Sequence, residues 1–235
     1  MIRTLDAQRF QQQDPQVIAA HFERLKSIKE THSILDCDVY NFDETGFAMG
    51  MANAGAAKVV SILASVYRAC AIQPGSREWT TVIEAINSMG WRVPPMLILA
   101  GKVHIDTWYR ENPHLPRDWA IQLSHNGWTN DEIGLLWIQH FDKHTRHRML
   151  GTKRLLVLDG HGSYATPEFD QYYLNHGIIT LCMPSHSSHI CQPLDVGCFS
   201  RLKTLYSDLV LKLARLSIFH VNKEDFIRIY IEAST

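Results

Sequence analysis

The sequence predicts a mixed α/β domain in which helices cover a central sheet. Segments with the composition of strands alternate along the chain with amphipathic segments of helical periodicity. In addition, the run KRLLVLDGHG at 153–162 contains an unbroken apolar stretch, LLVL, that ends at Asp159, which is typical of a central strand buried on both faces. At 235 residues, 46% of them hydrophobic, the chain is long enough to bury a substantial core.

The first predicted element is an amphipathic helix over residues 14–32. Asp14 suits the N-cap, and Pro15 suits the first helical position. Five apolar residues would share one face of this helix: Val17, Ile18, Phe22, Leu25 and Ile28. A strand over 38–43 follows, because branched and aromatic residues are concentrated there.

The next elements are a strand pair and a helix. Strands over 79–87 and 92–100 flank Ser88-Met89-Gly90, a sequence that predicts a hairpin connection. The segment 130–147 is predicted to be helical, with Asn130 as its cap and two acidic residues in its first turn.

The remaining elements alternate in type after the strand that ends at Asp159. A short helix is predicted over 167–175 and an apolar strand over 177–183. The loop PSHSSHICQP then leads into a long helix over 194–216, in which leucines recur at helical spacing. The five predicted strands would form one sheet with helices on its faces.

Charge and cysteine content restrict the classes of function. The net charge is −1 and the isoelectric point is about 6.9, unlike the basic balance of a typical nucleic-acid-binding domain, so DNA contacts would come from local patches. The five cysteines include no CxxC pair, which favours reduced thiols. The first residues, MIRTLDAQRFQQQD, lack the apolar core of a signal peptide, and the most apolar run, VPPMLILAG, is too short to span a bilayer. We therefore expect a soluble, intracellular protein without a membrane partner.

Three aspartates are the candidate site residues. Asp43, in VYNFDETGF, and Asp159 both end predicted strands, and Asp195 lies in the first turn of the last long helix. Three converging carboxylates repel one another unless a cation lies among them, and oxygen ligands alone favour Mg²⁺ or Mn²⁺. Glu44 competes with Asp43, but adjacent strand residues face opposite ways. The alternative is that Asp43 and Asp159 only cap turns before glycines.

Several motifs together resemble a known family. The stretches YNFDETGF, LLVLDGHGS and PSHSSHICQPLDVGCFSRLK, with REWTTVIEAINSMGWRVPPMLILAGK and HNGWTNDEIGLLWIQHFDKHT, resemble the pogo-like, centromere-protein-B-related group of DDE-superfamily transposases, especially those of fungal genomes. The similarity extends from about Asp36 to Tyr206, and 35 residues separate Asp159 from Asp195, a spacing typical of this group.

The resemblance implies a ribonuclease-H-like fold with a mixed five-stranded sheet and a two-metal site for phosphoryl transfer. Asp43, Asp159 and Asp195 correspond to the three catalytic, metal-binding acids, with two Mg²⁺ or Mn²⁺ ions as cofactors. The partner that the resemblance implies is DNA, whose phosphodiester is attacked first by water and then, in the joining step, by a DNA 3′-hydroxyl. The implied location is the nucleus, and a homo-oligomer on DNA is left open.

Three further residues are candidates for contact with substrate: His161, two residues after Asp159, and Arg201 and Lys203, shortly after Asp195. A turn position for His161 and an ordinary charged helix face for the two basic residues are the alternatives.

The resemblance also sets the expected domain boundaries. Residues 1–35 would be a helical lead-in that follows an absent helix-turn-helix domain. Residues 36–216 would form the catalytic domain, and residues 217–235 a C-terminal tail. The missing end-recognition domain keeps open a second function, that of a catalytically idle, domesticated or decayed transposase serving as a nuclear DNA- or protein-binding module.

A zinc hydrolase is a third alternative, because histidine is frequent. One candidate zinc site is a helical stripe of His140, His144 and His147; the other combines His186 and His189 with Cys182 and Cys191. A solvated or DNA-facing polar stripe is the favoured interpretation of the first group, and a strand-to-helix connector that carries Asp195 is the favoured interpretation of the second. GHGS at 160–163 lacks the final glycine of a nucleophile elbow, which argues against Ser163 as a nucleophile.

Overall fold

The computed structural model describes residues 14–51, 78–159, 166–185, 187–218 and 220–235. Eight strands lie in these ranges: β1 Val39–Ala48, β2 Gly50–Met51, β3 Trp79–Asn87, β4 Arg92–Ala100, β5 Ala120–Ser124, β6 Arg154–Leu158, β7 Ile178–Cys182 and β8 His220–Val221. Six of them form one sheet in the order β5-β4-β3-β1-β6-β7, and β2 pairs with β8.

The main sheet is mixed. β3 pairs antiparallel with both β1 and β4, whereas β4–β5, β1–β6 and β6–β7 are parallel pairs. The predicted α/β fold class is confirmed, with one strand more than the predicted five. The additional strand, β5, is an edge strand of five residues, too short to show a clear period, and its conformation depends on pairing with β4.

Seven helices lie in the described ranges: α1 Pro15–His32, α2 Thr107–Arg110, α3 Asp131–Thr145, α4 Pro167–Asn175, α5 Ser188–Cys191, α6 Ser200–Arg215 and α7 Lys223–Ala233. The predicted caps form: Asp14 accepts a hydrogen bond from the backbone N–H of Gln16, and Asn130 accepts one from that of Ile133. Within the described residues, no helix combines the length and apolar character needed to cross a membrane.

Helices α3 and α4 cover one face of the sheet. Their apolar side chains, among them Trp137, Phe141 and Phe169, form a buried cluster with even-numbered residues of β1 and β6, including Phe42 and Leu156. Every residue of β6 is buried, as expected for a central strand.

The opposite face has two clusters. The last two helices pack with α2 against β1, β3 and β4, and α1 packs beside β6 and β7. Only Leu25 and Ile28 of the predicted α1 face join the core, because Val17 and Phe22 are 44% and 53% exposed. The core therefore covers the apolar face of this helix mainly in its second half.

Helix α7 lies within residues 217–235, the segment expected to be a tail. Five of its residues are buried: Phe226, Ile227, Ile229, Tyr230 and Ala233. An Arg92 guanidinium nitrogen also donates to the Ser234 carbonyl oxygen at 2.8 Å. This segment therefore contributes to the same core as α6.

Candidate active site

The first two predicted acids lie on neighbouring parallel strands, Asp43 in the middle of β1 and Asp159 directly after the end of β6. The prediction that Asp43 ends its strand was wrong, because β1 continues to Ala48 by pairing with β3. Asn41 of β1 pairs with Val157 of β6. Continuing that register by two residues places Asp43 opposite Asp159. Both carboxylates therefore lie where β6 ends beside the middle of β1, on two central strands of the sheet.

Strand alternation puts these two acids on one face and Glu44 on the other. Val39 and Val157 belong to the cluster beneath α1, so odd-numbered residues of both strands face that side. The Glu44 carboxylate accepts a hydrogen bond from the Thr129 hydroxyl at 2.6 Å, in the loop before α3. This bond holds Glu44 on the face opposite Asp43.

The third acid lies between β7 and α6. Asp195 belongs to a π-helical turn, Leu194–Phe199, that continues directly into α6. Such turns are rare and frequently occur at functional sites. In the preceding loop, the Ser188 hydroxyl donates to Asp159 Oδ2 at 2.6 Å. The connection that carries the third acid therefore contacts the second acid directly.

The electrostatics link the three carboxylates. Burial raises the pKa of Asp43 to about 7, the charges of Asp195 and Asp159 act in the same direction, and a hydrogen bond from the Glu44 backbone N–H opposes them. Asp195 is exposed, yet partial desolvation raises its pKa, with Lys203 opposing and Asp159 reinforcing the shift. Mutual repulsion of this kind is typical of acids that share a site.

The three aspartates supply only hard oxygen donors, which suit Mg²⁺ or Mn²⁺. Among the described residues, however, no group of three or more His, Cys, Asp or Glu side chains is arranged closely enough to hold a metal ion. The donor chemistry of the three aspartates nevertheless fits such cations.

A further acid, Glu84, faces Asp43 across the β1–β3 pair. The register of β3 against β4 shifts at this position, and such irregularities re-aim side chains. Arg92 donates two hydrogen bonds to the Glu84 carboxylate, at 2.8 and 2.7 Å, and the Tyr230 hydroxyl donates another. These bonds neutralise and fix Glu84, so it is not a free ligand for a cation.

Of the three residues predicted to contact substrate, two lie in the described part of the chain. His161 lies outside the described residues, as does Ser163. Arg201 and Lys203 are both exposed on α6. The charge of Lys203 lowers the pKa of Asp195, which places this cation near the third acid.

The first histidine group is partly built into the fold. His140 Nε2 hydrogen-bonds with the Pro94 carbonyl oxygen at 2.7 Å, and its ring centroid lies 4.5 Å from that of His144. Burial lowers the pKa of both side chains, whereas His147 is exposed. A lowered pKa favours the uncharged imidazole, and the hydrogen bond of His140 and its ring contact with His144 fit a packing role for this pair.

The second histidine group falls partly outside the described residues, because His186 is among those excluded. His189 and Cys182 are exposed, and Cys191 is half-buried in the cluster beneath α1. Neither candidate zinc site satisfies the arrangement needed for a metal within the described part of the chain.

Two residues that the sequence reasoning missed lie beside the acids. Asn41 and Gln192 are buried and hydrogen-bonded to each other. A signal was available, since asparagine is depleted in strands and Asn41 lies between the aromatic residues Tyr40 and Phe42, two residues before Asp43. What it could not supply was the partner, which is 151 residues away.

Comparison with known proteins gives a family match over most of the chain. The family profile described as DDE superfamily endonuclease matches residues 76–233. Asp159 and Asp195 fall inside that match, and Asp43 precedes it.

Two curated fungal proteins are similar in sequence. The protein named MFS-type transporter clz9 of Cochliobolus lunatus is 46% identical over 199 residues, which are 85% of this chain and 21% of that protein. Chaetoglobosin A biosynthesis cluster protein C of Chaetomium globosum is 47% identical over 55 residues, or 23% of this chain and 13% of that protein. The chain thus spans about a fifth or less of either relative's length.

Solved structures of the Mos1 transposase share the fold. Its catalytic domain has a TM-score of 0.50 at 10% identity, covering 99% of this chain and 92% of that one. A paired-end complex with the left transposon end has a TM-score of 0.51 at 12% identity, with coverages of 97% and 60%. A paired-end complex with Mn has the same TM-score at 10% identity and the same coverages.

Proposed function

The chain belongs to the DDE superfamily of endonucleases, and we propose that it is the catalytic domain of a transposase-type enzyme that cuts and joins DNA phosphodiesters with divalent cations. Asp43, Asp159 and Asp195 are proposed as the catalytic acids and as the ligands of two Mg²⁺ or Mn²⁺ ions.

The observation that carries this proposal is the placement of the three acids: the β1–β6 register sets Asp43 opposite Asp159, and Ser188, in the loop that leads to Asp195, donates to the Asp159 carboxylate. The pKa of Asp43 is raised to about 7 by burial and then by the charges of Asp195 and Asp159. A fold without a use for these charges would gain stability by replacing one of them, whereas a site for divalent cations needs all three.

The proposed reaction is an in-line displacement at phosphorus, in which the bond to the nucleophile oxygen forms as the bond to the leaving oxygen breaks. When bound, two divalent cations polarise the phosphoryl oxygens and lower the pKa of the nucleophile. Asp43 and Asp159 provide fixed negative charge from neighbouring strands, and Asp195 provides it from the turn. Lys203 is proposed to contact a phosphate of the DNA.

DNA is proposed as the substrate because the family acts as endonucleases and because structures sharing the fold were solved as transposon-end and strand-transfer complexes. The Mos1 complex with Mn supports the choice of cofactor. Cutting chromosomal DNA implies a location in the nucleus, which a fluorescent fusion would test. Assembly as a homo-oligomer on DNA is tested by light scattering with and without DNA.

Nicking of supercoiled plasmid by the purified chain, with Mg²⁺ or Mn²⁺ against EDTA, tests the activity. Asp195→Asn should reduce the nicking rate at least 100-fold, in the range seen when one charge-stabilising group is removed, while leaving the melting temperature near that of wild type. Asp208→Asn makes the same change at an exposed position farther along α6 and should leave the rate unchanged. Equal loss in both variants would contradict the assignment of Asp195.

The second candidate function is an idle binding module derived from a transposase. It is favoured by one observation: no described group of side chains is arranged to hold a metal ion. The two functions separate when the chain is fused to a sequence-specific DNA-binding domain. Mn²⁺-dependent nicking near the bound sequence supports the enzyme, whereas DNA binding without nicking supports the module.

A further inference from the structure

A buried pair of amide side chains, Asn41 and Gln192, lies between the segments that carry the three acids. Asn41 is 6% exposed and Gln192 is 0% exposed. Burying two amides is costly unless their donors and acceptors are paired, so the partners of this pair indicate what it does.

The hydrogen bonds of the pair join three segments of the chain. Asn41 Nδ2 donates to the Val157 carbonyl oxygen at 3.1 Å and to Gln192 Oε1. Asn41 Oδ1 accepts from the Leu194 backbone N–H at 3.4 Å. Gln192 Nε2 donates to the Phe42 carbonyl oxygen at 3.3 Å. We call this network the amide clasp; it connects β1, β6 and the loop before α6.

Two of the clasped segments each carry one acid of the site. Asn41 lies two residues before Asp43 on β1, and Val157 lies two residues before Asp159 at the end of β6. Side chains two residues apart along a strand lie on the same face. Asp43 therefore follows Asn41 on one face of β1, and Asp159 follows Val157 on the same face.

The third clasped segment carries the remaining acid. Leu194, whose N–H is held by Asn41, immediately precedes Asp195 in the π-helical turn. Leu194 is itself buried, whereas Asp195 is exposed. The clasp therefore anchors the exposed acid through its neighbour.

We propose that Asn41 and Gln192 are positioning residues, which set the distance of the Asp195 turn from Asp43 and Asp159. This inference rests on the proposed function, since it concerns the same three acids. An apolar pair of similar volume would fill the space with little cost in stability, but it would lack the directional bonds that define where the turn sits.

The test replaces both amides at once, by Asn41→Leu with Gln192→Met, so that neither is left buried without its partner. Mn²⁺ binding is measured by calorimetry. We expect cooperative unfolding to be retained and the Kd for Mn²⁺ to rise about tenfold or more, as is typical when groups that orient metal ligands are lost.

A double-mutant cycle distinguishes positioning from general loosening. In an Asp195→Asn background, the clasp replacement should change the Kd for Mn²⁺ less than about twofold, because the carboxylate that it positions is already neutral. A tenfold loss in that background as well, or wild-type affinity in the clasp variant, would overturn the proposal.

Asn87→Leu is the matched control. Asn87 is also buried, and its side chain bonds the Cys37 carbonyl oxygen and the backbone N–H groups of Met89 and Trp91. It lies at the end of β3, opposite Tyr40, and none of these bonds reaches the segments that carry Asp159 and Asp195. This change should lower stability without altering the Kd for Mn²⁺.

If the wild type binds no Mn²⁺, the proposed function is refuted but the role of the amide clasp is not. A measurement that needs no metal then tests whether the clasp holds the Asp195 turn. Hydrogen exchange of the Leu194 amide should be at least tenfold faster in the clasp variant, while the amides of β6 keep their protection. Unchanged exchange at Leu194 would refute the clasp, whatever the metal does.

Discussion

Replacing Asp43 by asparagine should stabilise the protein in metal-free buffer, although it should abolish activity. The folded state keeps the Asp43 proton up to about pH 7, whereas the unfolded chain loses it near pH 4. Between these values the folded state binds more protons, so the stability of wild type falls as the pH rises from about 4 to about 7. Asparagine removes that dependence and retains the oxygen that accepts the Glu44 N–H.

The size of the effect follows from the pKa difference. A rise from 3.8 to about 7 corresponds to about 4 kcal/mol, at about 1.4 kcal/mol per pKa unit. Because Asp43 is partly exposed, water screens part of this cost, and we expect a gain of about 2 kcal/mol. For a domain of this size, that is a rise in melting temperature of roughly 4–8 °C.

The assay is urea unfolding of wild type and Asp43→Asn in EDTA at pH 4, 5, 6, 7 and 8. The stability difference should be near zero at pH 4 and reach its full value above about pH 7. Added Mn²⁺ should then stabilise the wild type more than the variant. Glu44→Gln, which loses a carboxylate bonded to Thr129, is the control and should bring no gain at pH 8. A difference that is independent of pH, or a variant less stable at pH 8, would refute the reasoning.

Three further predictions concern other sites. Arg154→Met should cost about 3–5 kcal/mol in urea unfolding, because it leaves the buried Asp142 carboxylate without its 2.6 Å partner; adding Asp142→Leu should restore most of that stability. Gly127→Ala should lower the melting temperature by several degrees, since its φ is +79° and a Cβ would lie 1.9 Å from a carbonyl oxygen of β3; an unchanged melting temperature would contradict this contact. Ser188→Ala should weaken Mn²⁺ binding about tenfold in calorimetry, because the hydroxyl orients Asp159; unaltered affinity would remove that role.

Local patterns were sufficient for most of the secondary structure. The strand pair and the two capped helices end within about two residues of their predicted bounds, because their limits are set by turn and cap residues in the chain itself. Local patterns did not predict strand β5 or the second half of β1. Residues 44–48 follow Asp43 as strand because they pair with β3 along their whole length, an interaction that a reading of local composition does not contain.

The candidate acids could also be selected from the sequence, but the residues that surround them in the fold could not. Alternation along β1 is a local property, and it separated Asp43 from Glu44. In contrast, Glu84 is paired with the Arg92 guanidinium and accepts a hydrogen bond from the Tyr230 hydroxyl. Tyr230 lies 146 residues from Glu84 in the sequence. No periodicity relates such positions.

By itself, therefore, the sequence determined the α/β class, the family resemblance and three aspartates with the chemistry of a cation site. Only the tertiary structure decided that β1 and β6 are parallel neighbours in a register that places Asp43 opposite Asp159. It also decided that a buried amide pair ties the Asp195 turn to both strands. The physical reason is that composition and periodicity act over a few residues, whereas register and buried polar pairing are fixed by contacts between segments more than a hundred residues apart.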